Sequence, residues 1–128
     1  MLNKIVIRYA NGNIRKGTTE DFFPNKDMFH MSDKDNGGYH EIKIKDLKAV
    51  FFVKTFEGNP KYCEKFDIER VGLGKKIIVH FKDNEKMVGY TLGYSPTRAG
   101  FILFPADPDS NNEKIFVITV ATNKIHFI

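Results

Sequence analysis

Apolar and polar residues alternate along short stretches of this chain. Ile5, Ile7 and Tyr9 share one face of a run that starts at Lys4, and Ile77, Val79 and Phe81 share one face of a run that starts at Lys76. A period of two marks a half-buried strand. Further runs predict strands near residues 14–20, 28–31, 41–45 and 48–53, and again near 86–92, 101–104, 115–121 and 124–128. Asn11-Gly12 is a tight-hairpin signal because both positions tolerate positive φ, and Asp83-Asn84 is its weaker counterpart. Gly17 and Gly89 fall inside strands, where a small barrel bends sharply at a corner. No stretch sustains a helical period over three turns. Short, regularly spaced strands with turn signals predict an all-β barrel or sandwich.

The same pattern occurs twice. Residues 4–31 align without a gap on residues 76–103, at an offset of 72. Lys4, Ile5, Gly17, Thr19, Pro24 and Phe29 meet identical residues at Lys76, Ile77, Gly89, Thr91, Pro96 and Phe101. Beyond a variable stretch the match resumes at an offset of 75, pairing Ile42 with Val117, Val50 with Ile125 and Phe52 with Phe127. The three extra residues fall in the Pro105–Asn112 segment, where a surface turn absorbs a change in length. The expected organisation is a first β-barrel repeat at 1–54, a packed linker at 55–75 and a second repeat at 76–128. Phe56, Tyr62, Phe66, Ile68, Val71 and Leu73 make the linker too apolar for a free tether, so it is expected to pack on the barrels.

Composition narrows the class. The 128 residues are 41% hydrophobic and 28% charged, which is globular rather than disordered. No apolar run approaches the ~18 residues of a membrane span. The first residues carry no basic segment followed by an apolar core and cleavage site, so a secretory signal is not expected. One cysteine forms no internal disulfide or Cys-rich zinc site and fits a reducing cytoplasm. The net charge of +4 is spread evenly, with 11 bases against 9 acids in residues 1–64 and 9 against 7 in residues 65–128. Nucleic-acid footprints instead concentrate their bases. Lys43, Lys45 and Lys48 interleave with Ile42, Ile44 and Leu47 and read as a solvated strand face.

The hairpin spacing resembles Sm-like proteins, the small SH3-like β-barrels. An alternating strand, an Asp/Asn-Gly turn, a glycine and an aromatic five positions on appear as Ile5-Val6-Ile7, Asn11-Gly12, Gly17 and Phe22. The second copy reads Ile77-Ile78-Val79, Asp83-Asn84, Gly89 and Tyr94. The resemblance implies two tandem five-stranded barrels forming a pseudo-dimer. The family's uridine-binding Asp and Asn positions hold Phe23 and Asp27 in the first copy and Ser95 and Ala99 in the second, and its later Arg-Gly signature is missing from both. The phrases FFPN, LKAVFFVKTFEGNP and FPADPDSNN also resemble an uncharacterised family of bacterial proteins. That resemblance implies a bacterial, cytoplasmic protein.

Candidate chemistry is sparse. There is no Walker A loop, dinucleotide glycine cluster, HExxH or nucleophile elbow, and the expectation is no enzyme, no catalytic residue and no cofactor. Cys63 reads as inert, since thiolate activation needs a specific electropositive setting. His80 and His126 are expected as outer-face neighbours on paired first and last strands, but a third ligand is missing and no metal is assigned. Asp107, Asp109, Asn111 and Glu113 lack the Gly and Glu of an EF-hand and read as a polar hairpin tip. Pro24 follows Phe22-Phe23 and Pro96 follows Tyr94-Ser95, which suggests a recognition ledge of Phe22, Phe23, Pro24, Tyr94, Pro96 and Arg98. Phe23, Phe51 and Phe56 exceed what two thin cores absorb and point to an apolar surface for a partner. The function expected is a binding or assembly module that engages a protein partner, or a second copy of itself, through aromatic and strand-edge surfaces. The alternative is an Sm-like RNA or nucleotide binder.

Overall fold

The computed structural model describes residues 2–128. Five strands form the first half: β1 (Asn3–Tyr9), β2 (Ile14–Thr19), β3 (Met28–Asp33), β4 (Tyr39–Lys43) and β5 (Leu47–Val53). Five more form the second: β6 (Lys75–Phe81), β7 (Lys86–Thr91), β8 (Gly100–Pro105), β9 (Asn112–Ile118) and β10 (Thr122–Phe127). Short 3-10 turns at Ile44–Asp46 and Thr119–Ala121 separate the last two strands of each half. The protein is all-β. Its strands make one antiparallel sheet in the order β10-β6-β7-β8-β9-β5-β1-β2-β3-β4. Where two separate barrels were expected, the halves are joined strand to strand through β5 and β9.

The pairing registers recur at the sequence offsets. Ile5 faces Gly17 as Ile77 faces Gly89, and Gly17 faces Asp33 as Gly89 faces Pro105. Ile5 faces Phe52 as Ile77 faces Phe127, and Phe29 faces Ile42 as Phe101 faces Val117. Turn bonds match too: Tyr9 N–H donates to the Asn13 carbonyl, and Phe81 N–H to that of Glu85, both at 2.8 Å. Positive φ is taken by Gly12 at 95° in the first turn and by Asn84 at 74° in the second, where the short polar side chain tolerates it.

Gly17 and Gly89 are fixed by contact. A Cβ on Gly17 would lie 2.1 Å from the Ser32 carbonyl oxygen, and one on Gly89 would lie 2.3 Å from that of Phe104. The third strand of each half crosses the second there so closely that no side chain fits.

The joint shares its residues between two cores. Along β5, Val50 and Phe52 pack into a cluster with Ile5, Ile7, Phe29, Met31 and Ile42. Ala49, Phe51 and Val53 point the other way, into a cluster with Ile77, Val79, Phe81, Phe101 and Leu103. Strand β9 reciprocates, with Phe116 and Ile118 in the first core and Ile115 and Val117 in the second. Every residue of β5 is consequently buried. This corrects two expectations. Phe51 is a core residue, 7% exposed, rather than surplus surface. Lys48 does not share a solvated face with Lys43 and Lys45: its side chain is only 5% exposed.

Lys48 is buried with partners. Its Nζ donates to Asp83 at 2.6 Å and also to Glu85, and it lies 4.7 Å from the centre of the Phe81 ring. Arg8 donates to the same Glu85 at 3.0 Å. Both cations belong to the first half and both carboxylates to the β6–β7 turn of the second, so the cluster fastens the two halves. The Lys48 hydrogen bond and a backbone N–H from Glu85 hold the Asp83 carboxyl below the usual aspartate value.

Two outcomes follow from this architecture. Phe51→Ala removes one ring from the shared wall and should destabilise the chain by about 3–5 kcal/mol, with both halves unfolding in one urea transition; separate transitions would refute the shared wall. Gly89→Ala should cost about 1–3 kcal/mol in the same assay, because backbone must shift to admit the methyl group.

Candidate functional site

Six outward-looking residues were expected to form one ledge, and the structure divides them. Phe22 faces inward and meets the rings of Phe29, Phe52 and Phe116 edge-on, with centroids 5.1–5.2 Å away. It closes the first core. Tyr94 packs edge-on against Phe101 at 5.0 Å and Phe127 at 6.2 Å, within the second half. Phe23 is 53% exposed, and Pro96 sits exposed in a turn closed by the Arg98 N–H and the Ser95 carbonyl at 3.2 Å. Pro24 and Arg98 do come together. They lie on opposite walls of a groove that crosses the seam between the halves.

This groove measures about 780 Å³. The β2–β3 loop supplies one wall through Pro24, Lys26 and Asp27, and the β7–β8 loop supplies the other through Leu92, Gly93 and Arg98. Its floor is Phe101, Ile102, Phe104 and Phe116 from β8 and β9. A second depression of about 420 Å³ continues it past Asp27 and Ala99 to Met28, Lys43, Ile44, Lys45 and Val120. Along the two, Lys26, Lys43, Lys45, Arg98 and Lys114 set five cations against the single carboxylate of Asp27. An apolar floor with a cationic rim suits an anionic ligand that also carries apolar groups.

The sequence concealed most of this rim. Lys26 and Arg98 occupy equivalent positions of the two copies, and their turns are closed alike: Lys26 N–H bonds the Phe23 carbonyl at 3.0 Å. That equivalence was a usable signal. Lys114 carried none, because its place on the wall depends on β9 lying beside β5.

The first half fills its own gap between β2 and β3. Asp21 accepts the His30 N–H at 2.9 Å and the His30 Nδ1–H at 2.7 Å, and Thr19 donates to the His30 carbonyl at 2.8 Å. Burial pushes the Asp21 carboxyl up, but the His30 and Thr19 bonds outweigh it and leave it below the usual range. His30 also stacks on Tyr39, with ring centres 5.0 Å apart.

Among the remaining candidates Asp107 has a structural role. Asp107 is buried and accepts hydrogen bonds from the Tyr62 hydroxyl, the Lys65 N–H at 2.9 Å and the Asp109 N–H at 2.9 Å. It anchors the linker rather than capping a free hairpin tip. The Tyr62 bond is the main cause of an Asp107 carboxyl held below the usual range, and the Tyr62 phenol is pushed up to about 12. Arg70 adds a bond to the Pro105 carbonyl at 3.0 Å, and Phe56 packs against the second core, while Phe66 and Val71 stay exposed. Cys63 is exposed. On the paired strands β6 and β10, His80 lies opposite Lys124 and His126 opposite Ile78. Burial, with Lys86, Lys124 and His126 nearby, pushes the His80 imidazole down. Among the described residues no group of three His, Cys, Asp or Glu side chains is arranged to hold a metal ion, and no helix is long and apolar enough to cross a membrane.

The molecule is therefore an all-β chain with a basic, apolar-floored groove across the seam of its two halves. The sequence profile of DUF6982, a family of unknown function, matches residues 1–128, and the chain belongs to that family. No curated protein and no solved structure matches it.

Asp107→Asn should release the linker. Tryptic cleavage at Lys61, Lys65 and Arg70 should accelerate several-fold while the strand signal in circular dichroism persists. The wild type should show the same release on acidification. A depressed carboxyl contributes its stabilisation above the ordinary aspartate value and loses it as pH falls through the folded value. Cleavage as slow as wild type in Asp107→Asn would show that the linker is held by other contacts.

Proposed function

We propose that the chain is a non-enzymatic binding module built from two Sm-like, SH3-like barrel repeats arranged as a pseudo-dimer. It engages a protein partner through the seam groove, the aromatic surface around Phe23 and the strand edges of β4 and β10. The observation that carries this reading is the groove itself, whose two walls come from different halves and whose rim holds Lys26, Arg98 and Lys114 above an apolar floor. The recurring registers support an internal duplication. A duplicated pair differs from a lone small barrel in having such a seam. The bacterial cytoplasm is the setting this reading assumes.

A protein segment suits the groove better than a nucleic acid. Single-stranded nucleic acid is gripped by stacking bases on open aromatic faces. On the floor, Phe101 and Phe116 are 3% and 1% exposed and present no such face, which leaves Phe104 as the one partly exposed ring there. The basic rim nonetheless makes RNA the competing ligand class, and salt separates the two, since phosphate contacts give a steep salt dependence.

The test pairs Arg98→Glu with Lys114→Glu in one variant and compares proteins recovered on immobilised wild type and variant, with and without ribonuclease. Partners of the groove should fall several-fold with the variant and survive ribonuclease. Recovery that is unchanged by the charge reversal would overturn the groove assignment. Recovery abolished by ribonuclease would favour the RNA reading.

A further inference from the structure

The two halves repeat the same strand registers, and one of the groove positions at which they differ is Gly93. Thr19 and Thr91 occupy equivalent positions, and each hydroxyl donates at 2.8 Å to a carbonyl on the next strand, that of His30 in the first half and Ile102 in the second. The N–H and C=O of one strand residue project to the same side. The Ile102 N–H is thereby aimed into the gap between the ends of β7 and β8, as the His30 N–H is aimed into the gap between β2 and β3. In the first half, the Asp21 carboxylate fills the gap and accepts that N–H at 2.9 Å. Its equivalent in the second half is Gly93, which has no side chain. A Cβ built on Gly93 meets nothing within 4 Å. The vacated space is part of the seam groove, lined by Gly93, Ile102, Leu92 and Arg98.

We propose that this gap is a carboxylate-binding subsite, and that the groove takes up an extended, acidic and apolar segment of a partner protein. The partner's Asp or Glu side chain accepts the Ile102 N–H where Asp21 accepts the His30 N–H. Arg98 supplies a positive charge beside the gap, where in the first half the His30 ring gives Asp21 a hydrogen bond. Apolar residues beside that carboxylate lie on Leu92, Phe104 and Ile102. Lys26 and Lys114 attract further acidic residues, and the excess of cations over Asp27 matches such a segment. Asp21 is an internal copy of the ligand group. This inference rests on the protein-partner reading above and specifies the chemistry of the partner.

The experiment uses the full chain labelled for amide NMR, with three probes: a short peptide alternating Glu and Leu, its counterpart alternating Gln and Leu, and oligouridylate. Without any probe, the Ile102 amide should exchange with solvent much faster than that of His30. Gly93→Asp should slow it, because the new carboxylate reproduces the Asp21 contact. The Glu–Leu peptide should shift the Ile102 amide, and the Gln–Leu peptide should bind about tenfold more weakly, the value of one charge-assisted hydrogen bond. Gly93→Asp should weaken the Glu–Leu peptide by a similar factor, and by more than Gly93→Ala, which adds bulk without charge. An Ile102 amide already protected in the wild type overturns the subsite. Binding of the Glu–Leu peptide that neither moves Ile102 nor responds to Gly93→Asp overturns it too, and leaves the protein-partner reading standing. Binding of oligouridylate alone overturns both.

Discussion

Everything in this molecule depends on the ladder between β5 and β9. It is a heterologous joint, in which the fifth strand of one half pairs with the fourth strand of the other. Because β5 is then covered on both faces, its side chains feed two cores at once, and β9 returns Phe116 and Ile118 to the first. A core built from about 50 residues is marginal by itself, since small domains bury too little of their surface. Here neither core is complete without strands from the other half. The burial of Lys48 follows from the same constraint: once β5 lies between two halves, its one charged side chain must find carboxylates inside the joint, and the β6–β7 turn provides them.

The joint also explains the character of the free edges. Applying the inner joint a second time would place β10 of one chain against β4 of the next. The residues that make the inner joint apolar have been replaced at those edges. Lys124 and His126 stand where β5 has Ala49 and Phe51, and Glu41 and Lys43 stand where β9 has Phe116 and Ile118. Burying those charges against a second copy is costly, and charged edge strands are a common defence against indiscriminate strand pairing. Those charges disfavour a repeat of the inner joint between two copies of the chain. The seam, which faces no such competition, keeps the groove.

What the sequence disclosed depended on how local each signal was. The turn at Asn11-Gly12, the alternation in Ile5-Val6-Ile7 and the corner at Gly17 are set by neighbours a few residues away, and the second copy repeated each signal, so strands and registers were legible. The joint was not. Phe51-Phe52-Val53 reads as a continuous apolar run that periodicity cannot assign to a face, and only the arrival of β9 shows that its two faces enter different cores. Lys48 was misplaced for the same reason, since alternation describes a strand with one wet face and β5 has none. Asp107 shows a third kind of limit. Its acidic neighbours suggest a polar loop, while its partners Tyr62 and Lys65 lie in a linker more than forty residues earlier.

Comparing the two halves separates what the fold requires from what it leaves free. The two halves keep in common what folding demands of both, which here means the glycines at the strand crossings and the threonine hydroxyls that bind the third strand. Positions where the copies keep the backbone and exchange the chemistry are released from that demand. Asp21 and Gly93 form such a pair, because the carboxylate satisfies an inward N–H in one half and its loss leaves the equivalent N–H facing an open, cation-rimmed groove in the other. A buried donor left without an acceptor costs free energy, whereas one facing solvent or a ligand does not. The second half thus leaves open a donor that the first half satisfies internally, at a point where the first half contributes Lys26 to the same rim. The groove belongs to neither repeat, since its walls come from both, and its open donor arises from their difference.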